Sequence, residues 1–430
     1  AWRGPGAPLT RWQQLIPIIS ILALLLLRFA GMSRVCREEQ APYCAPSFYA
    51  YQATTKFADN PAYALSGPAT NSPYALAAAY LFAFAMADIL RRILKPSHAH
   101  LSSASTLLTW IIRPALLGSS GFWLADWVHG LEQLDEATRS TFLVIKIWTA
   151  RAVLFLLVAG AWYWYLSPLS LSVLREPTQK RDAPPKVALL GFGNTFGAAF
   201  LLFTSLAFSL LFLLSQPMGQ LALSACFLAM VLIAELGDSE RDARLLAASK
   251  MPNAKDLSAS PSHAPSLLEI VCIGLLGFVA FFSTGHQATF TAIQWRVAFV
   301  GFPVVTYPWS PLFVVLNAFG PLSILPAFGV VLLTLWNVAP TRAKVQQEET
   351  GHVRPMRLPG DILRSALGLL LYVGVLTWSA ALWAWFFRRH LMLFKIWVPR
   401  YMMAGLGLLI TDCLKYTSYA TEDYIRINQG

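Results

Sequence analysis

Charge is scarce in this sequence: 13% of its 430 residues are Asp, Glu, Lys or Arg, against about a quarter in an ordinary soluble domain. With 56% apolar residues, that scarcity excludes a soluble globular protein and leaves an integral membrane one. Histidine is also thin. Besides His286 there are six, His98, His100, His129, His263, His352 and His390, with no H-E-x-x-H, H-x-E or C-x-x-C arrangement around them. No metal site and no metallohydrolase centre are therefore expected within this chain. Of five cysteines, Cys226, Cys272 and Cys413 fall inside apolar runs, where a small buried hydrophobe is the common role. The opening AWRGPGAPLTRW starts at Ala1 and lacks the pattern of a signal peptide, so the chain is expected to be a piece of something longer. No internal repeat is evident, and an inverted-repeat transporter architecture is not claimed.

What is present is a series of apolar runs of roughly the 20 residues that cross about 30 Å of hydrocarbon. Ten are expected to span, at 15–31, 74–94, 106–125, 142–165, 187–214, 218–235, 267–283, 311–338, 362–387 and 393–414. The fold class is thus an all-α polytopic membrane bundle of about ten helices in one transmembrane domain over residues 1–430. The fifth and sixth spans are separated by Ser215-Gln216-Pro217 and read as a tight hairpin. Pro321 and Pro326 should kink or break the eighth. Stretches 168–186, 236–266 and 339–360 are rich in Ser, Pro, Ala and charge and read as flexible cytosolic linkers.

The formal charge of +11 could suggest nucleic acid, but the basic residues lie in short runs beside apolar spans, as membrane topology requires. With the N-terminus cytosolic, cytosolic segments and span ends hold 19 Lys and Arg against 8 opposite, so both termini are expected in the cytosol. Trp123 and Trp127, Trp162 and Trp164, Trp309, Trp336, and Trp383 with Trp385 cluster near span ends as interfacial anchors.

The same count places two polar segments on the lumenal or extracellular face. One, from Ser283, Thr284, Gly285, His286 and Gln287 to Trp295, Arg296 and Phe302, carries hydroxyls, an imidazole and a guanidinium between two apolar spans, groups that hydrocarbon solvates badly. It is the candidate site for a lipid headgroup or sugar phosphate, the alternative for His286 being a cap on the preceding helix. The other holds Cys36 and Cys44 flanking Pro42. In an oxidising compartment they form a disulfide; with inverted topology they are free thiols. Arg388, Arg389 and Lys395 run against the positive-inside bias and supply either anion binding or simple snorkelling. Arg113 and Arg151 fall near mid-span, where an unpaired charge costs several kcal/mol. Both are expected to face the bundle interior, paired to carbonyls or Asp126, or to line a polar path.

Three segments carry a resemblance: STGHQATFTAIQWRVAFVGF, CREEQAPYC after the first span, and the late RRHLMLFKIWVPRYM. They resemble the membrane half of the GPI ethanolamine phosphate transferase family, of the third (PIG-O) type. The resemblance implies an endoplasmic reticulum enzyme moving phosphoethanolamine from phosphatidylethanolamine to a mannose, the third, of the GPI precursor glycolipid. It further implies a lumenal alkaline-phosphatase-like domain with a Thr nucleophile and two zinc ions, and a small PIG-F-type membrane partner. That catalytic domain and its Asp/His metal set are absent from this chain, so no catalytic residue is expected here. A lipid transporter or scramblase, and a non-catalytic assembly subunit, are the other classes the residues allow.

Overall fold

A computed structural model describes residues 9–33, 73–94, 103–131, 134–166, 172–175, 187–190, 195–249, 265–286, 293–336 and 358–389, with 400–402, 404–405, 407–409 and 412. Cys36, Cys44, Gln287, Lys395 and most of the tenth expected span lie outside them. Helices α1 (Leu9–Gly31) and α2 (Pro73–Leu94) come first. Helix α3 follows as one continuous rod: Ser103–Thr106, a π turn at Leu107–Ile112, then Arg113–His129. After α4 (Glu136–Leu166), strands β1 (Ser172–Arg175) and β2 (Val187–Leu190) pair antiparallel, with Ser172 opposite Leu190. Then come α5 (Thr195–Leu214), α6 (Pro217–Ser249) and α7 (Leu267–Ser283). Helix α8 is Trp309–Phe319, a π turn at Gly320–Ile324, and Leu325–Trp336; α9 is Leu358–Phe386. Seven of these are long and apolar enough to cross a membrane, while Ile16–Gly31 and Leu267–Ser283 are shorter apolar helices. The fold is a polytopic helical bundle, with one small hairpin as its exception among the described residues.

Two expectations need correcting. The fifth span does not begin at Val187, since Val187–Leu190 is a strand and the helix starts at Thr195. A four-residue apolar run between Pro184-Pro185 and Gly191 is the length of a strand, and periodicity alone cannot separate it from a helix start. Its partner β1 lies inside the stretch read as the first linker. The second correction is α6, which continues to Ser249, well into 236–266, because ERDARLLAA is made of strong helix formers. At Pro321 and Pro326 the eighth span neither breaks nor separates; a π turn absorbs the missing N–H groups.

Helices α5, α6 and α8 are the most enclosed, with α1, α2, α3 and α7 packed about them, while α4 and α9 are the outermost. The centre is aromatic and aliphatic: Phe208 stacks on Phe227 at 4.4 Å between ring centroids, with Leu201, Phe212, Cys226 and Met230 fully buried around them. Without water to drive apolar collapse, such contacts depend on close approach. Gly277 shows it most plainly, since a Cβ there would lie 2.3 Å from Pro326 Cγ and 2.7 Å from the Leu322 carbonyl oxygen.

Candidate functional site

The last four carbonyls of any helix lack intrahelical partners, and inside a membrane protein each must find one. Helix α5 ends at Leu214 with all four satisfied by side chains. Ser215 Oγ donates to Leu211 O at 2.7 Å and Gln220 Nε2 to Phe212 O at 2.8 Å. Trp123 Nε1 of α3 donates to Leu213 O at 3.0 Å, and Asn317 Nδ2 of α8 to Leu214 O at 2.8 Å. Ser120 Oγ in turn donates to Gln220 Oε1 at 3.4 Å. Three helices besides α5 thus meet at one turn.

His286 joins this knot. Because the Asn317 amide nitrogen is committed to Leu214, its oxygen faces His286 Nε2, 2.9 Å away. That oxygen can only accept, so Nε2 carries the proton. Nδ1 is then the acceptor and faces Thr284 Oγ1, 2.9 Å away, whose single proton is shared among Nδ1 and the Ala280 and Phe281 carbonyls. The ring lies against Phe281, centroids 5.2 Å apart, and the residue is 3% exposed. Both nitrogens are therefore taken by protein. The imidazole put forward as a headgroup ligand is built into the bundle and ties α7 to α8.

Other sequence candidates separate into buried and open. Ser283 and Thr284 are buried, Gly285 takes the positive φ of 85° that turns the chain out of α7, and the Ser283 hydroxyl has no partner among the described residues. Gln294 Nε2 returns to Thr284 O at 3.0 Å, leaving its buried Oε1 unpartnered among the described residues. Trp295 and Arg296 are exposed on a 3-10 turn, Trp295–Phe299. Arg388 and Arg389 are exposed just past α9, with Arg388 over the Trp385 ring at 5.3 Å. Helices α7 and α9 run parallel, since Gly368 meets Ile270 and Gly274 meets Tyr372. Both polar groups therefore occupy the same end of the bundle.

The segment 298–308 connects that end to α8 with little regular structure, and several of its carbonyls have named donors. Phe302 N–H donates to Phe299 O, Thr306 Oγ1 to Val304 O, Ser310 N–H to Thr306 O, and Ser310 Oγ to Ala298 O. Arg151 Nε donates to Gly301 O at 2.9 Å. Pro303 and Pro308 have no N–H to satisfy. Val304, Val305 and Tyr307 nevertheless point outward. Those exposed apolar side chains suit lipid contact.

The intramembrane arginines do not converge. Arg113 pairs with Asp88 on α2 and lies 5.3 Å from the centre of Phe84, while Arg91 donates to Thr109 at 2.6 Å beside the same carboxylate. Asp126, expected as a partner for Arg113 or Arg151, instead accepts from Lys146 at 2.9 Å. Arg151 is exposed rather than turned inward, a second departure from expectation. Arg113 and Arg151 thus have separate partners, Asp88 on α2 and the Gly301 carbonyl. Asn317 and Gln220 carried no expectation from the sequence, although a lone carboxamide in an apolar helix is itself a signal, and Trp123, expected as an interfacial anchor, is buried in the bundle instead. Among the described residues there is no group of three or more His, Cys, Asp or Glu that could hold a metal.

Fold and polar knot together define a multi-pass helical membrane protein whose helix ends on one side are cross-linked by side-chain hydrogen bonds. Comparison with curated proteins makes the kinship specific. The chain is similar to GPI ethanolamine phosphate transferase 3 of Eremothecium gossypii, 28% identical over 395 residues, which is 91% of this chain and 34% of that protein. Against the Saccharomyces cerevisiae protein of the same name the identity is 27% over 411 residues, 94% of this chain and 35% of the relative. The human GPI ethanolamine phosphate transferase 3, catalytic subunit, is 29% identical over 260 residues, 54% of this chain and 22% of its own length. The chain spans about a third of the two fungal relatives. The resemblance carried by three short segments thus extends over nine-tenths of the sequence. No family model and no solved structure matches.

Proposed function

We propose that this chain is the membrane portion of an enzyme that transfers phosphoethanolamine from phosphatidylethanolamine to a mannose of the GPI precursor, the third by resemblance. Similarity across nine-tenths of the chain to proteins of that name carries the reading. The helical bundle supports it, because donor and acceptor are both membrane lipids. In this account the zinc-dependent catalytic domain lies outside these 430 residues, and relatives about three times as long leave room for it. The bundle anchors that domain in the endoplasmic reticulum membrane, presents both lipids at the lumenal surface and contacts a PIG-F-type subunit.

Trp295, Arg296, Arg388, Arg389 and Lys395 are proposed to face the lipid phosphates, an exposed guanidinium being well suited to a phosphodiester. Ser283, Thr284 and His286 hold the shape of that surface from beneath. The test is transfer in cells lacking their own GPI ethanolamine phosphate transferase 3 that express the intact protein containing this chain. Arg296→Ala should lower phosphoethanolamine addition to the GPI precursor several-fold at unchanged protein abundance. Full activity in Arg296→Ala would remove the site assignment. Failure of the unsubstituted protein to restore any transfer would remove the function.

A further inference from the structure

Arg151 lies midway along the 31-residue α4, and α4 crosses the membrane with the aromatic cluster Trp162, Tyr163, Trp164 and Tyr165 near one end. Twelve residues at about 1.5 Å each put Arg151 roughly 18 Å from that cluster. In hydrocarbon about 30 Å thick its backbone sits roughly 12 Å beneath the opposite boundary. A guanidinium at that depth is costly unless something anionic or polar meets it.

Protein meets only part of it. The Nε–H goes to Gly301 O, and the guanidinium carbon lies 5.4 Å from the Trp148 ring centre and 5.7 Å from that of Phe302. The four N–H bonds on the terminal nitrogens, the fork that matches a phosphate, have no carboxylate partner among the described residues. Around this cation the surface is otherwise apolar and open. Trp148, Phe155, Val158 and Trp162 form one outward stripe at helical spacing, 63%, 73%, 71% and 65% exposed, and Val304 and Val305 stand exposed on the segment that supplies Gly301. A guanidinium whose terminal nitrogens lack a carboxylate among the described residues, set in an apolar stripe between Trp148 and Phe155, matches one kind of molecule.

We propose that Arg151, reaching past Trp148 toward the nearer boundary, holds the phosphodiester of a bilayer phospholipid drawn inward at this point, whose acyl chains run along Phe155 and Val158 across the bilayer midplane. The 298–308 segment closes the headgroup side through Gly301 and Phe302. This site is separate from the Arg296 surface and requires only that α4 crosses a bilayer; it holds whatever reaction the protein serves.

A photoactivatable phosphatidylcholine bearing a diazirine in its acyl chain tests the site in proteoliposomes of the intact protein. The wild type should give cross-links on the 152–162 stretch. Arg151→Gln should lower them at least tenfold and Arg151→Lys should keep most of them. Since Arg151→Gln also loses the bond to Gly301, Phe155→Asp serves as a second variant, placing a carboxylate one turn away and leaving that bond intact; it should lose labelling equally. Millimolar inorganic phosphate should not compete. Undiminished cross-linking in Phe155→Asp or Arg151→Gln overturns the proposal, and so does displacement by free phosphate.

Discussion

Asn317 accepts from His286 and donates to Leu214, so alanine at this position orphans two buried groups at once. Each costs about 1–3 kcal/mol, and Asn317→Ala should destabilise the protein by roughly 2–4 kcal/mol, read as a lower unfolding temperature in detergent. Trp123→Phe removes the donor to Leu213 O and replaces the buried indole with a smaller phenyl ring. The lost bond and the cavity together should cost about 2–4 kcal/mol, measured the same way. His286→Ala should behave like Asn317→Ala and lower abundance along with activity, whereas Arg296→Ala should lower activity alone. That contrast separates a structural residue from a surface one. The polarity of His286 was legible in the sequence, but polarity does not say whether the partner is water, ligand or another helix. Only the approach of Thr284 and Asn317 decides it.

Helices α7 and α8 pack with no room for a side chain at Gly277, whose Cβ would meet backbone as well as Pro326. Gly277→Leu should therefore force the helices apart and destabilise by several kcal/mol, in the range of overpacked cores. Gly374→Leu on α9, where nothing lies within 4 Å, should leave the unfolding temperature almost unchanged. Most helices were legible because a run of about twenty apolar residues has few other solutions; 267–283 coincides with α7 to the residue. Where the sequence misled, the physics was ambiguous or local. Four apolar residues at Val187–Leu190 fit strand or helix, and the π turns at Leu107–Ile112 and Gly320–Ile324 leave no mark on hydropathy. The second half of α6 was hidden by its charge, which excludes a span but not a helix.

Across the whole molecule, α3 and α4 extend past the level at which α5 and α7 stop. Trp123 already reaches the end of α5 at Leu213, and α3 continues to His129. The Lys146–Asp126 pair joins the two longer helices in that extension, with side chains 11% and 20% exposed. Removing one partner of such a pair costs about 3–5 kcal/mol, while replacing both with apolar residues can be nearly neutral. Lys146→Met should thus destabilise strongly, and Lys146→Met with Asp126→Leu should recover much of the loss in thermal unfolding. The shorter helices leave their ends, with the knot around His286 and the Trp295–Phe299 turn above it, recessed on one side of the bundle. The account stands on that side being the lumenal one, where the GPI precursor would be modified. A cysteine at Arg296, in the protein with its other cysteines replaced by alanine, can be probed in sealed microsomes with a membrane-impermeant maleimide. Labelling should occur only after the microsomes are opened; labelling of the sealed vesicles from their cytosolic face would contradict the account.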